Sequence, residues 1–175
     1  MAAPRSEPAA RAIPDPGFAG DVGGVDERVA SALAAYRPGD RISHRETLAL
    51  LQTTRLLVPV VAVLGEVEVD EHGRAHDKTS DMATVMLTGA DGRQGLLAFT
   101  GMAALSAWRA DGRPVPVACS DAAAAALSEG ADALLIDLSG PHPFVIEGDD
   151  LASLAAGHLL VRLDDGRWAW AAPTG

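Results

Sequence analysis

The stretch Arg55–Val69, RLLVPVVAVLGEVEV, constrains the fold of this chain more than any other. From Leu56 to Leu64 it is apolar at nearly every position, with valine supplying the β-branched residues. A membrane helix needs about 18 or more such residues, and Pro59 sits badly in a helix interior. The segment therefore reads as a strand. Because successive side chains of a strand point to opposite faces, an unbroken apolar run means that both faces are covered and the strand is central to a sheet. The second half, Glu66-Val67-Glu68-Val69, alternates, so one face there meets solvent. A chain with such a strand must supply packing layers on both sides of it.

The rest of the sequence supplies them. Asp26–Tyr36 carries Val29, Ala30, Leu33 and Ala34 at helical spacing, and Arg37-Pro38-Gly39 ends that helix. Ser43-His44-Arg45-Glu46 has the spacing of a capping box and predicts a helix running to about Thr54. Met82–Thr88 and Gln94–Thr100 read as two strands joined by the Ala90-Asp91-Gly92-Arg93 turn, forming an antiparallel meander with the first strand. Thr100 is expected to cap a helix from Met102 to Arg109, Ser120 a helix from Asp121 to Glu129, and Asp149 a helix through Ala155. Arg113-Pro-Val-Pro-Val117 must be extended, at a sheet edge, because each proline excludes its predecessor from helical space. Ala133–Leu138 and Phe144–Glu147 are further strands, and LLVRL with RWAWAA around Asp164-Asp165-Gly166 reads as a terminal hairpin near 159–172. The expected fold is a single α+β or mixed α/β domain over 13–175, its mixed sheet opening with an antiparallel meander followed by alternating helices and strands. Residues 1–12 are expected to be a disordered tail.

Composition removes several function classes. The 175 residues include 14 basic and 24 acidic side chains, a net charge of −10, which opposes a nucleic-acid-binding role. The single cysteine, Cys119, cannot form an internal disulfide or a cysteine-based zinc site. The N-terminal segment has no continuous apolar core, so neither a secretory signal nor a membrane partner is expected, and the protein is placed in the cytoplasm.

Few residues offer chemistry. His76-Asp-Lys-Thr-Ser-Asp-Met82 places Asp77, Ser80 and Asp81 around Lys78, the only lysine of the chain, at the mouth of a strand. An ammonium beside carboxylates suits a small zwitterion or a charged patch on a partner; a plain solvated loop is the competing reading. Thr100 and Arg113 are the residues that a pocket reaching that loop would add. His72 and His76 have helical metal-ligand spacing, but Gly73 between them favours a loop, and no metal or cofactor is expected. Cys119 ahead of a helix could be a nucleophile, yet Ser120, Asp121 and a run of alanines supply no anion cradle, so a buried thiol is expected. Nucleophile elbows, phosphate-binding loops and dinucleotide fingerprints are absent from the sequence, and no catalytic residue is assigned. Trp168 and Trp170 alternate on one strand face and could form an interface, including that of a homodimer, or cover the core.

Several segments in order carry a family resemblance: Phe18-Ala-Gly-Asp21, Arg55-Leu-Leu-Val-Pro-Val60, Lys78-Thr-Ser-Asp-Met82, Asp91-Gly-Arg93, Leu97-Ala-Phe-Thr100, Trp108 and Arg113-Pro-Val-Pro-Val117. From about Ile13 to Ala155 the chain resembles the N-terminal domain of the SseB family. The resemblance implies a small cytoplasmic bacterial protein and brings no catalytic residues with it; longer members carry a second, C-terminal domain. The expected function is a non-catalytic protein-interaction or regulatory module with a protein partner. The alternative is a small-ligand-binding protein or enzyme using the Asp77–Asp81 loop.

Overall fold

The computed structural model describes residues 18, 21–63 and 81–173. The chain is an α+β protein. Two helices come first, α1 (Glu27–Ala35) and α2 (Arg41–Leu51), followed by strand β1 (Arg55–Val63). Then come β2 (Asp81–Thr84), β3 (Met86–Thr88), β4 (Gln94–Ala98), α3 (Met102–Trp108), β5 (Arg113–Ala118) and α4 (Cys119–Ser128). The chain continues through β6 (Ala133–Ile136), β7 (Phe144–Glu147), α5 (Gly148–Ala155) and the hairpin β8 (Leu159–Arg162) and β9 (Trp168–Ala171).

The strands form three groups, ordered β2-β1-β5, β3-β4-β6-β7 and β8-β9. All pairings are antiparallel except β4 with β6, whose crossover runs through α3, β5 and α4. A bridge between Leu57 and Phe99, with reciprocal backbone hydrogen bonds, joins the first two groups.

That bridge explains how β1 tolerates a central proline. Leu57 directs its N–H and C=O toward Phe99, so its pairing with Pro116 on β5 is a non-hydrogen-bonded one, as is Pro59 with Pro114 two residues on. Pro59 therefore lacks a donor only on the flank between Phe99 and the start of β2 pairing at Val60. On β5 the missing N–H groups of Pro114 and Pro116 lie on the outer flank, where they blunt an open edge.

Alternation sorts the central strands into two cores. Leu56, Val58, Leu96 and Ala98 face the larger core, with residues of α1, α2, α4 and α5. Leu57, Leu97 and Phe99 face the smaller, closed by Leu105 and Trp108 of α3. Both faces of β1 are thus buried over Leu56–Val58, as its composition requires; its continuation over Glu66–Val69 lies outside the described residues.

Several local expectations are corrected. Ser43 does not cap α2: Asp40 does, its carboxylate accepting from the N–H groups of Ile42 and Ser43 at 3.1 and 3.3 Å. Gly39, at φ +86°, turns the chain just before it, so the helix starts three residues early. The Ser43 hydroxyl instead accepts the Arg37 N–H at 3.2 Å. The N-caps of α3, α4 and α5 are Gly101, Ala118 and Glu147, and none of them makes a side-chain capping bond. Thr100, Ser120 and Asp149 are therefore not caps. The strand expected over Met82–Thr88 divides at Val85, where the chain leaves β1 and joins β4. The strand expected over Ala133–Leu138 stops at Ile136, because Asp137 turns left-handed at φ +50°.

Candidate functional site

The carboxyl ends of the parallel strands β4 and β6 converge on one pair of residues, Thr100 and Asp137. Such ends are where open α/β sheets place ligands. Thr100 is buried, and Asp137 is 7% exposed. The Asp137 carboxylate accepts the Thr100 N–H at 2.9 Å on one oxygen and the Thr100 hydroxyl at 2.6 Å on the other. Burial raises the Asp137 carboxyl above its ordinary range, against the pull of those two hydrogen bonds. Among the described residues no cation pairs with it.

Thr100 is held from its other side by Arg55, the first residue of β1. The Arg55 guanidinium donates to the Thr100 carbonyl at 2.5 Å, to the Gly24 carbonyl at 2.6 Å and to the Asp21 carboxylate. Arg55 is 11% exposed, so these charge-assisted bonds fix rather than decorate the segment Asp21–Val25. The Arg55 hydrogen bond and the Gly23 N–H hold the Asp21 carboxyl below its usual range. The strap then crosses the start of α3, where the Met102 N–H donates to the Gly23 carbonyl at 2.8 Å. The crossing requires glycine at 23 and is tight at 101. A Cβ on Gly23, at φ +77°, would stand 2.3 Å from Met102 Cγ, and one on Gly101 3.1 Å from the Gly23 carbonyl oxygen.

Between these parts lies a groove of about 590 Å³. Its walls are Ala30 and Leu33 of α1 and Ala103, Ala104 and Ala107 of α3. Gly23–Val25 and the Ser139–His142 loop border it, and Thr100 and Asp137 line it together. Val25 is 43% exposed, and Met102, which packs on Gly23, is 37% exposed.

A second polar cluster lies elsewhere, between α2 and α5. Asp150 accepts from Arg45 at 2.6 Å and lies 3.0 Å from His44 Nε2, while the His44 ring stacks on Phe144 with centroids 4.9 Å apart. Burial raises the Asp150 carboxyl, but the His44 hydrogen bond and the Arg45 charge outweigh it and leave it below its usual range.

Of the residues singled out in the sequence, only Thr100 belongs to the groove. Arg113 pairs with Val60 on the opposite flank of β1 from Thr100, roughly 13 Å along the strand. Asp77, Lys78 and Ser80 lie outside the described residues, as do His72 and His76; Asp81 opens β2 opposite Val63, and its side chain also lies outside. Trp168 and Trp170 are half-buried on one face of β9 and pack on the larger core, Trp168 beneath the Arg162 guanidinium at 5.8 Å. Gln52 holds that hairpin by exchanging two hydrogen bonds with the Leu160 backbone, at 2.8 and 2.7 Å. Cys119 is fully buried, which pushes its thiol up to about 12 and keeps it protonated. Among the described residues no group of three or more His, Cys, Asp and Glu side chains is placed to hold a metal ion, and no helix is long and apolar enough to cross a membrane.

Arg55, Asp21 and Asp137 were not singled out as site residues by sequence reasoning. The one local signal for Asp137 is an acid at the end of an apolar strand, Ala-Leu-Leu-Ile-Asp, with Gly140 just beyond.

The family model of the SseB protein N-terminal domain matches residues 29–153, from within α1 to within α5. The chain belongs to the SseB family. Arg55, Thr100, Asp137 and both helical walls of the groove fall inside the matched span of this SseB domain, whereas the Asp21–Val25 strap and the β8–β9 hairpin fall outside it. Comparison with curated proteins and with solved structures gives no match.

Proposed function

We propose that this SseB domain is a non-catalytic protein-interaction module, and that the groove between α1 and α3 holds an apolar segment of a partner protein. The observation that carries the reading is the lining: aliphatic walls around a groove of about 590 Å³, with half-exposed Val25 at its border. Contiguous apolar surface of this kind marks interaction sites. The exposed alanines of the α3 wall let a partner's main chain come close. The state of the one thiol also supports the reading: Cys119 is fully buried and held protonated. The Trp168–Trp170 face is the weaker alternative surface, since its rings are half spent on the core.

Site-specific photocrosslinking tests the reading. With the crosslinker at Ala103, the native host should yield protein adducts that vanish when Ala107→Trp fills the groove. A crosslinker at Leu159, exposed on β8, should not give the same adducts. Equal adducts from both positions, or none from Ala103, would count against the groove.

A further inference from the structure

The floor of the groove differs in kind from its walls. Walls of alanine and leucine call for an apolar occupant, yet the floor carries Asp137, buried and held left-handed at φ +50°. A buried carboxylate is normally paired, because desolvation penalises its charge. Asp150, part-buried, follows that rule with Arg45 and His44 facing it. Among the described residues Asp137 has only the two donors of Thr100, one on each oxygen. An ionised carboxylate offers about four acceptor positions, so one stays open on each oxygen. That is the arrangement a two-pronged donor fills.

We infer that the segment held in the groove carries an arginine or lysine whose charged head reaches the Asp137 carboxylate while its aliphatic stem lies along the alanine wall of α3. This inference rests on the groove being the interaction site. The stem and head of such a side chain match the two chemistries of the groove, an apolar wall and an acidic floor. The charge of the whole molecule points the same way: at −10 it attracts a basic partner and repels an acidic one. Arginine fits better than lysine, since its planar fork can address both oxygens at once.

The test uses the full chain and an array of random hexapeptides. The wild type should retain peptides in which arginine or lysine stands beside apolar residues. Asp137→Asn keeps acceptor and donor groups for Thr100 and an amide that tolerates left-handed backbone, so it should fold with an unchanged or higher melting temperature. It should nevertheless bind the best peptide at least tenfold more weakly. Replacing the peptide's arginine by citrulline should weaken wild-type binding as much and leave binding to Asp137→Asn unchanged. If Ala103→Trp abolishes binding while Asp137→Asn and citrulline change it less than twofold, the cation inference is overturned and the groove reading stands. Binding that survives Ala103→Trp, or an array with no binder, overturns both. Agmatine binding as tightly as the peptide would overturn the protein-segment occupant.

Discussion

Asp137 is buried and Asp150 part-buried, and the two aspartates have opposite environments. Asp150 closes a compensated cluster: a guanidinium and an imidazole face it, and its carboxyl sits below the usual range. Asp137 has no cation among the described residues, and burial leaves its carboxyl above that range. Asp150 ties α5 to α2 and behaves as structure. Asp137 sits at the carboxyl end of β6 and lines a groove, and among the described residues no cation faces it, an environment common at binding sites. On the proposed reading, the difference separates an aspartate that serves the fold from one that serves an occupant of the groove.

Substitutions at Arg55, Asp150 and Asp137 separate the two aspartates experimentally. The largest effect is expected at Arg55, which anchors the strand end carrying the donors of Asp137. Arg55→Met removes charge-assisted bonds to Asp21, Gly24 and Thr100 and should cost about 3 kcal/mol in denaturant unfolding. It should also speed amide exchange across Gly23–Val25. Arg55→Lys should recover only part of the loss, because an ammonium cannot span three acceptors in the guanidinium plane. At Asp150, substitution by alanine leaves His44 and Arg45 facing each other and should cost about 2 kcal/mol. That is less than for a fully buried pair, since those side chains are 25% and 26% exposed. An Asp150→Ala variant as stable as wild type would remove the structural half of the contrast.

How much of this was legible in the sequence depended on the range of the interaction involved. β1 declared its central place through its unbroken apolar run, and the proline pair of β5 declared an edge, because both signals are written in consecutive residues. The helix starts were harder. Asp40 and Ser43 are both capping residues three positions apart, and the Gly39 turn that decides between them is conformational. Thr100 looked like a helix cap for the same local reason, but its hydroxyl is taken by Asp137, 37 residues away in sequence. Asp137 itself reads in sequence as part of a strand, since nothing in Ala-Leu-Leu-Ile-Asp-Leu says that the backbone reverses hand at the acid. The Lys78 segment, the most suggestive in sequence, lies outside the described residues, so the site rests on positions that sequence reasoning had passed over.

Smaller effects sharpen the contrast. Asp137→Asn should leave unfolding free energy unchanged or raise it by up to about 1 kcal/mol, since it removes a buried charge and keeps the hydrogen bonds. A loss of more than about 1 kcal/mol would mean that the charge itself holds the fold.

Acid titration should give the two aspartates opposite signs. Asp150 is depressed in the folded state, so its stabilisation is present above the unfolded carboxyl range and is lost as pH falls through its folded value. Asp137 is elevated, so its penalty is present above its folded value and is relieved as pH falls toward the unfolded one. Stability of Asp150→Asn should therefore decline less with acid than that of wild type, and stability of Asp137→Asn should decline more. Parallel curves for the two variants would contradict the assignment.

Carbon NMR titration of the Asp137 side-chain carboxyl, alone and saturated with the arginine peptide, decides whether it is an open acceptor for a cation. In the free protein the group should titrate above the ordinary carboxylate range, while Asp150 titrates below it. Saturation with the peptide should draw Asp137 down and leave Asp150 in place. Contradiction would come from an Asp137 that titrates at or below the ordinary value when free, or that titrates identically in both states.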